Sequence, residues 1–161
     1  MRLALSAGIA LMAACAAASA QQAKDGEVEV LPGKWTWKQS TTVIGFINSK
    51  DENLECLIPQ KAKVKLSELA RDLDEDCTVD KVAPIPDGYS FKLICKGDLP
   101  IRADATLAAS DRSMVIRAKG SATVMGFIPA SVSANADASL AGECTSEEIA
   151  KETERWRLEQ Q

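Results

Sequence analysis

Apolar and polar residues alternate with a period of two along most of the chain between residues 34 and 140. In the first run, Trp35, Trp37 and Val43 share one face, while lysines and hydroxyl residues occupy the other. Similar runs cover residues 53–58, 77–82, 89–95, 101–107, 114–119 and 131–140. Period-two runs separated by turn residues predict antiparallel strands with one buried face. We predict a mainly β fold, an antiparallel meander curled into a barrel or half-barrel; a β-sandwich is the alternative.

Two segments follow a helical pattern instead. Four apolar residues are spaced at i, i+3, i+4 and i+7, namely Leu66, Leu69, Ala70 and Leu73. This spacing predicts one short helix over residues 64–74, packed on the sheet. The charged tail at 145–161 starts with Thr145 and Glu148, which have the spacing of a helical capping box.

The first twenty residues have the features of an export signal. Arg2 precedes a short apolar run, and Ala18-Ser19-Ala20 provides a small-x-small cleavage site before Gln21. We therefore predict a signal peptide at 1–20, a linker at 21–31, a β domain at 32–144 and a periplasmic location. Met12-Ala13-Ala14-Cys15 also matches an imperfect lipobox, so lipid anchoring through Cys15 is the alternative. The mature part contains no other apolar stretch of membrane-spanning length.

The composition of the 161 residues excludes several chemistries. The chain has no His, which removes Ser-His-Asp and Cys-His catalysis and the commonest metal ligand. Its net charge of −4 and its lack of a glycine-rich phosphate loop argue against nucleic-acid and nucleotide binding. Without paired Cys-x-x-Cys spacing we expect no metal and no cofactor. The predicted strands also place no acidic residue on an inward face, which argues against a carboxylate-based hydrolase.

Four cysteines remain once Cys15 leaves with the signal, an even number that predicts two disulfides in an exported chain. Pro and Asp-Gly residues between 84 and 88 predict a hairpin turn that places Cys77 opposite Cys95. Opposed residues of a hairpin lie close enough for a disulfide. We predict Cys77–Cys95, which leaves Cys56–Cys144.

A six-residue motif occurs twice, as TVIGFI at 42–47 and as TVMGFI at 123–128. Two hypotheses are open: unrelated turns that fold back on the core, or two apolar lips, with Phe46 and Phe127, at one mouth of the fold. The second requires the strand at residues 54–58 and the strand at 77–82 to run parallel, with residues 59–76 as the crossover. The same arrangement is needed for Cys56 to reach Cys144.

Several predicted inward positions carry alanine, namely Ala103, Ala105, Ala134, Ala136 and Ala138. Either aromatic side chains fill the space that these alanines leave, or an apolar cavity remains. Trp35, Trp37, Phe46 and Phe127 are the candidate ligand-binding residues.

An ordered set of motifs marks a family resemblance. Pro32-Gly33-Lys34-Trp35 is followed by Cys56-Leu57-Ile58-Pro59, Cys77-Thr78-Val79, Cys95 and Gly142-Glu143-Cys144. Residues 31–144 thereby resemble the small exported Gram-negative bacterial proteins catalogued as domain of unknown function 3617. Trp37 and the 147–161 tail depart from that pattern. The resemblance implies a periplasmic or envelope location and gives no activity.

We expect a non-enzymatic periplasmic binding module for an apolar small molecule or a cell-envelope partner. The alternative is a structural or interaction protein that acts through the C-terminal helix near Trp156. The pattern does not indicate an oligomeric state.

Overall fold

A computed structural model describes residues 26–161 of the chain. The predicted signal peptide, Cys15 and the start of the predicted linker lie outside the described residues. The elements are β1 (Glu27–Glu29), β2 (Gly33–Val43), β3 (Ile47–Leu57), a 3-10 turn (Pro59–Lys61), β4 (Lys63–Lys65), α1 (Leu66–Leu73), β5 (Cys77–Ile85), β6 (Gly88–Cys95), β7 (Ile101–Ser110), β8 (Ser113–Val124), β9 (Ile128–Gly142) and α2 (Ser146–Glu159).

Seven strands form one antiparallel sheet in the order β3-β2-β9-β8-β7-β6-β5. Every neighbouring pair is antiparallel, and most neighbours follow one another along the chain, because short turns join them. The predicted mainly β, antiparallel fold is confirmed. The two edge strands, β3 and β5, are not paired with each other, so the sheet is not a closed barrel.

One face of the sheet, which we call the inner face, carries the core. Trp35, Leu107 and Met114 are almost completely buried there, and Leu66 and Ala70 of α1 pack into the same cluster. The short helix predicted over residues 64–74 is therefore confirmed as α1. Arg117–Asp137 and Lys92–Asp104 ion pairs lie across neighbouring strands on the opposite, solvent-facing side.

The described part of the predicted linker at 21–31 contains a short strand. Residues 27–29 form β1, which pairs with β4, and the amide of Val30 donates a hydrogen bond to the Ala62 carbonyl over 3.0 Å. Val30 is buried in the main core. The segment is held on the domain by the buried Val30 side chain and by its backbone hydrogen bonds. Releasing it would expose the side chain to water and break those hydrogen bonds.

The structure contains both predicted disulfides, Cys56–Cys144 and Cys77–Cys95. Cys77 lies directly opposite Cys95 in the β5–β6 hairpin, as the turn chemistry predicted. The alternating strand directions of the sheet make β3 and β5 parallel to each other at its opposite edges. The connection over residues 59–76 is thus the predicted crossover, and Cys56 and Cys144 lie at the same end of the sheet.

The predicted tail helix is present as α2. The Thr145 hydroxyl accepts from the Glu148 amide over 3.2 Å, and the Glu148 carboxylate accepts from the Thr145 amide over 2.7 Å. This reciprocal pair satisfies two amides that a helix start otherwise leaves without partners. Glu148 also forms a 2.8 Å ion pair with Lys34 of β2, so α2 is attached to the sheet.

Candidate functional site

A mostly apolar cleft of about 260 Å³ lies between α1 and the inner face of the sheet. Leu66, Leu69 and Leu73 line its helix side. The sheet side is lined by Trp37, Phe91, Leu93, Ala105, Ile116, Ala118, Ala134 and Ala136. The alanines matter because they occupy positions where larger side chains would close the space.

The position of α1 creates the cleft. The helix has no side-chain cap at its start; instead the Leu66 amide donates to the Gly26 carbonyl over 3.0 Å, so the N-terminal segment fixes where the helix begins. Leu66 and Ala70 are buried, while Leu73 at the far end is exposed at the rim of the cleft. The helix therefore contacts the sheet at its first turns and leaves room beside its last.

A polar groove adjoins the apolar cleft and shares Trp37, Glu55, Leu69 and Asp72 with it. This second space measures about 480 Å³, and charged residues from β4, α1 and α2 contribute to its wall. Trp156 of α2 lies half-buried in the same wall. A ligand that spans both spaces would place an apolar part under α1 and a polar part in the groove.

Glu55 stands where the cleft and the groove meet. Glu55 is exposed as a residue, but partial desolvation of its carboxyl group, followed by the negative charges of Glu152 and Asp72, raises its pKa. Lys61 and Arg155 act in the opposite direction. Glu55 lies opposite Trp35 in the β2–β3 pairing and therefore on the inner face. The expectation that no carboxylate lies on an inward face is wrong at this position, since an edge strand can place a charged residue inward without full burial.

The four candidate ligand-binding residues do not form one site. Trp37 lines the cleft, but Trp35 is 1% exposed in the core, where its Nε1 donates to the Leu31 carbonyl over 3.0 Å. Phe46 and Phe127 lie outside the cleft, at the end of the sheet where β2 and β8 finish. Of the four candidate ligand-binding residues, only Trp37 therefore lines the cleft.

Both copies of the repeated motif are hairpin turns at the same end of the sheet. The Phe46 amide donates to the Val43 carbonyl, and the Phe127 amide donates to the Val124 carbonyl. The Ile44 amide reaches the Ser131 carbonyl of β9 over 3.0 Å, which links the first turn to the strand that follows the second. The predicted common end is confirmed, although the turns project from it rather than line the cleft.

Several residues that line the cleft were not among the predicted ligand contacts, including Leu69, Leu73 and Ile116. Their apolar periodicity was visible, but periodicity identifies a buried face without showing which part of that face stays open. The alanine positions were the better signal, because Ala105, Ala134 and Ala136 all line the cleft. Ala103 and Ala138 do not line the cleft, and both are buried in the core, as Ala105 also is.

Comparisons of the chain with protein-family models, curated proteins and solved structures found no match. The resemblance to domain of unknown function 3617 accordingly stays a prediction. Among the helices of residues 26–161, none has the length and apolar character needed to cross a membrane.

Proposed function

We propose that this protein is a non-enzymatic binding module that takes the apolar part of a small molecule into the cleft between α1 and the sheet. The observation that carries the proposal is the open apolar space floored by alanines, beside a core of buried side chains. Ligand sites in proteins commonly combine an apolar pocket with a few polar groups at the rim. Gln39, Asn53 and Glu55 provide such groups here.

The two disulfides support an oxidising compartment outside the cytoplasm. We propose a periplasmic location for the mature protein, which these bonds and the signal-like N-terminus support, and a cell-envelope amphiphile as the ligand class.

A direct test fills the cleft. The uncharged fluorophore N-phenyl-1-naphthylamine serves as the probe, and Ala134→Leu, at the floor, is compared with Ala141→Leu, which lies exposed near the end of β9. We expect the wild type and Ala141→Leu to enhance the probe's emission saturably, and Ala134→Leu to bind at least about tenfold more weakly, because the larger side chain occupies the cleft. Thermal melting must show that both variants are folded. Equal affinity in all three proteins, or no saturable binding by the wild type, would contradict the proposal.

Glu55 supports a second candidate, a carboxylate-based hydrolase. Its raised pKa and the neighbouring Asp72 are features of an acid–base pair in a glycosidase cleft. Screening oligosaccharides for hydrolysis with the wild type, Glu55→Gln and Asp72→Asn tests this candidate. Turnover that both substitutions abolish would favour the enzyme over the binding module.

The alternative of a tail that captures partners receives less support. Trp156 is half-buried against the polar groove, and Lys61 pairs with Glu159 over 3.1 Å, so α2 is docked on the domain.

A further inference from the structure

Two neighbouring hairpin turns form an apolar tip at one end of the sheet. We define the apolar tip as Ile44, Phe46, Met125 and Phe127, whose exposed fractions are 66%, 46%, 75% and 77%. Exposed large apolar side chains on a single protein are common, but a group of four on two adjacent turns marks an interaction site.

In the second turn, Met125 has a backbone conformation that is unfavourable for methionine. Met125 has a φ of 54° and precedes Gly126 at 79°, the conformation in which Asn-Gly is strongly preferred. Met has no local hydrogen bond to offer in this position, in contrast to Asn. The turn therefore gains no stability from methionine at this position, and the Met125 side chain is 75% exposed.

The distribution of charge along the two hairpins that carry the apolar tip fits a lipid bilayer. Residues 39–49 and 120–136 contain no charged side chain. The first charged residues along these strands are Lys38, Lys50 and Lys119, about 15–20 Å from the turns at about 3.3 Å per residue, and Asp137, about 30 Å away. A tip inserted about 5–10 Å would therefore bury no charge of its own two hairpins and would leave their three lysines on the water side of the headgroups. The β6–β7 turn, with exposed Lys96 and Asp98, lies beside β8 at the same end of the sheet and has to stay on the water side as well.

We propose that the apolar tip inserts into the interface of a lipid bilayer and holds the protein reversibly at a membrane surface. A bilayer fits better than a protein partner because the tip protrudes and has no side-chain donor or acceptor to fix an orientation. This inference is independent of the ligand proposed for the cleft, which the tip residues do not line.

The main test measures partition of the purified exported protein onto phosphatidylcholine vesicles by cosedimentation. Phe46→Ser with Phe127→Ser is expected to weaken partition at least about tenfold, since each lost phenyl group removes apolar burial. The matched control is Leu54→Ser with Leu158→Ser, which removes two side chains of 67% and 58% exposure away from the tip. The control is expected to bind within about twofold of the wild type, because its lost side chains do not enter the bilayer.

Met125→Asn separates membrane binding from folding. Asn suits the turn better, so this variant is expected to melt at the same or a higher temperature while its vesicle partition falls at least about twofold. A tryptophan placed by Phe127→Trp should be quenched by lipids brominated near the headgroup end of the acyl chain, whereas one placed by Leu158→Trp should not.

Three outcomes would overturn the proposal: no partition of the wild type, tip variants that bind as the wild type does, or a control that weakens as much as they do. Sedimentation velocity without vesicles tests the alternative that the apolar tip binds a second copy of the chain. Self-association that the tip substitutions abolish would identify the tip as a dimer interface instead of a membrane contact.

Discussion

Glu148 connects two parts of the molecule through a single carboxylate. One oxygen accepts from the Thr145 amide over 2.7 Å, and the other pairs with Lys34 over 2.8 Å. The hydrogen bond from Lys34, then that from Thr145, lowers the pKa of Glu148 to about 2. The same group thus starts α2 and attaches it to β2.

The lowered pKa of Glu148 predicts how stability depends on pH. A carboxylate with a depressed pKa stabilises the fold above its unfolded value near 4.5, and that stability is lost as pH falls toward about 2. Glu148→Gln should therefore melt below the wild type at pH 7, and the gap should close between pH 4.5 and 2. Gln keeps the capping hydrogen bond, so the comparison isolates the charge. The same measurement on Glu147→Gln is the control; a gap that persists at pH 2 would contradict the assignment.

At the scale of elements, α1 is held by its first turns. Leu66 is 1% exposed, whereas Leu73 at the other end of the same helix is 66% exposed. The helix therefore has one anchored end and one end at the cleft rim, and the two leucines offer a matched comparison.

Leu66→Ala should lower the free energy of unfolding by about 2–5 kcal/mol, since it leaves a cavity between α1 and the sheet. Leu73→Ala should change it by less than about 0.5 kcal/mol, since that side chain contacts mainly solvent. Urea unfolding followed by tryptophan fluorescence measures both. Equal losses for the two variants would show that α1 is packed along its whole length.

Periodicity predicted α1 and most strands, but it placed the start of β3 at residue 53 instead of Ile47. Residues 48–55 of β3 are exposed and polar at almost every position, so neither face carries an apolar signal. These residues form a strand because they pair with β2 in a hairpin, and not because of their own apolar pattern. β1 was missed for a related reason, since its three residues are ordered by pairing with β4.

For the whole molecule, strand order was the information that local patterns could not supply. The alternation of strand direction ties the Cys56–Cys144 bond to a common end for the two TVxGFI turns, and the sheet has both. No local pattern indicated that α1 leaves a cleft above Trp37, because the helix start is set by Gly26, forty residues away along the chain. The site therefore depends on contacts between segments distant in sequence.

The two disulfides should differ in what they contribute. Cys77–Cys95 closes a separation of 18 residues within a hairpin that is already paired, whereas Cys56–Cys144 closes 88 residues and joins edge strand β3 to the segment that leads into α2. A disulfide stabilises the fold by restricting the unfolded chain. For these loop lengths its contribution to the free energy of unfolding is roughly 3 kcal/mol for the first bond and roughly 4.5 kcal/mol for the second.

Paired Cys→Ala substitutions test this difference, with the other bond intact and thermal melting as the measurement. Removal of Cys56–Cys144 should lower Tm more than removal of Cys77–Cys95, at about 2–4 °C per kcal/mol for a domain of this size.

Removal of Cys56–Cys144 should also weaken the attachment of α2, because Cys144 directly precedes the Thr145 cap. The Glu148→Gln substitution should then cost less in the Cys56→Ala/Cys144→Ala background than in the wild type, which a double-mutant cycle measures. An equal cost in both backgrounds would mean that the Lys34–Glu148 pair holds α2 without help from the disulfide.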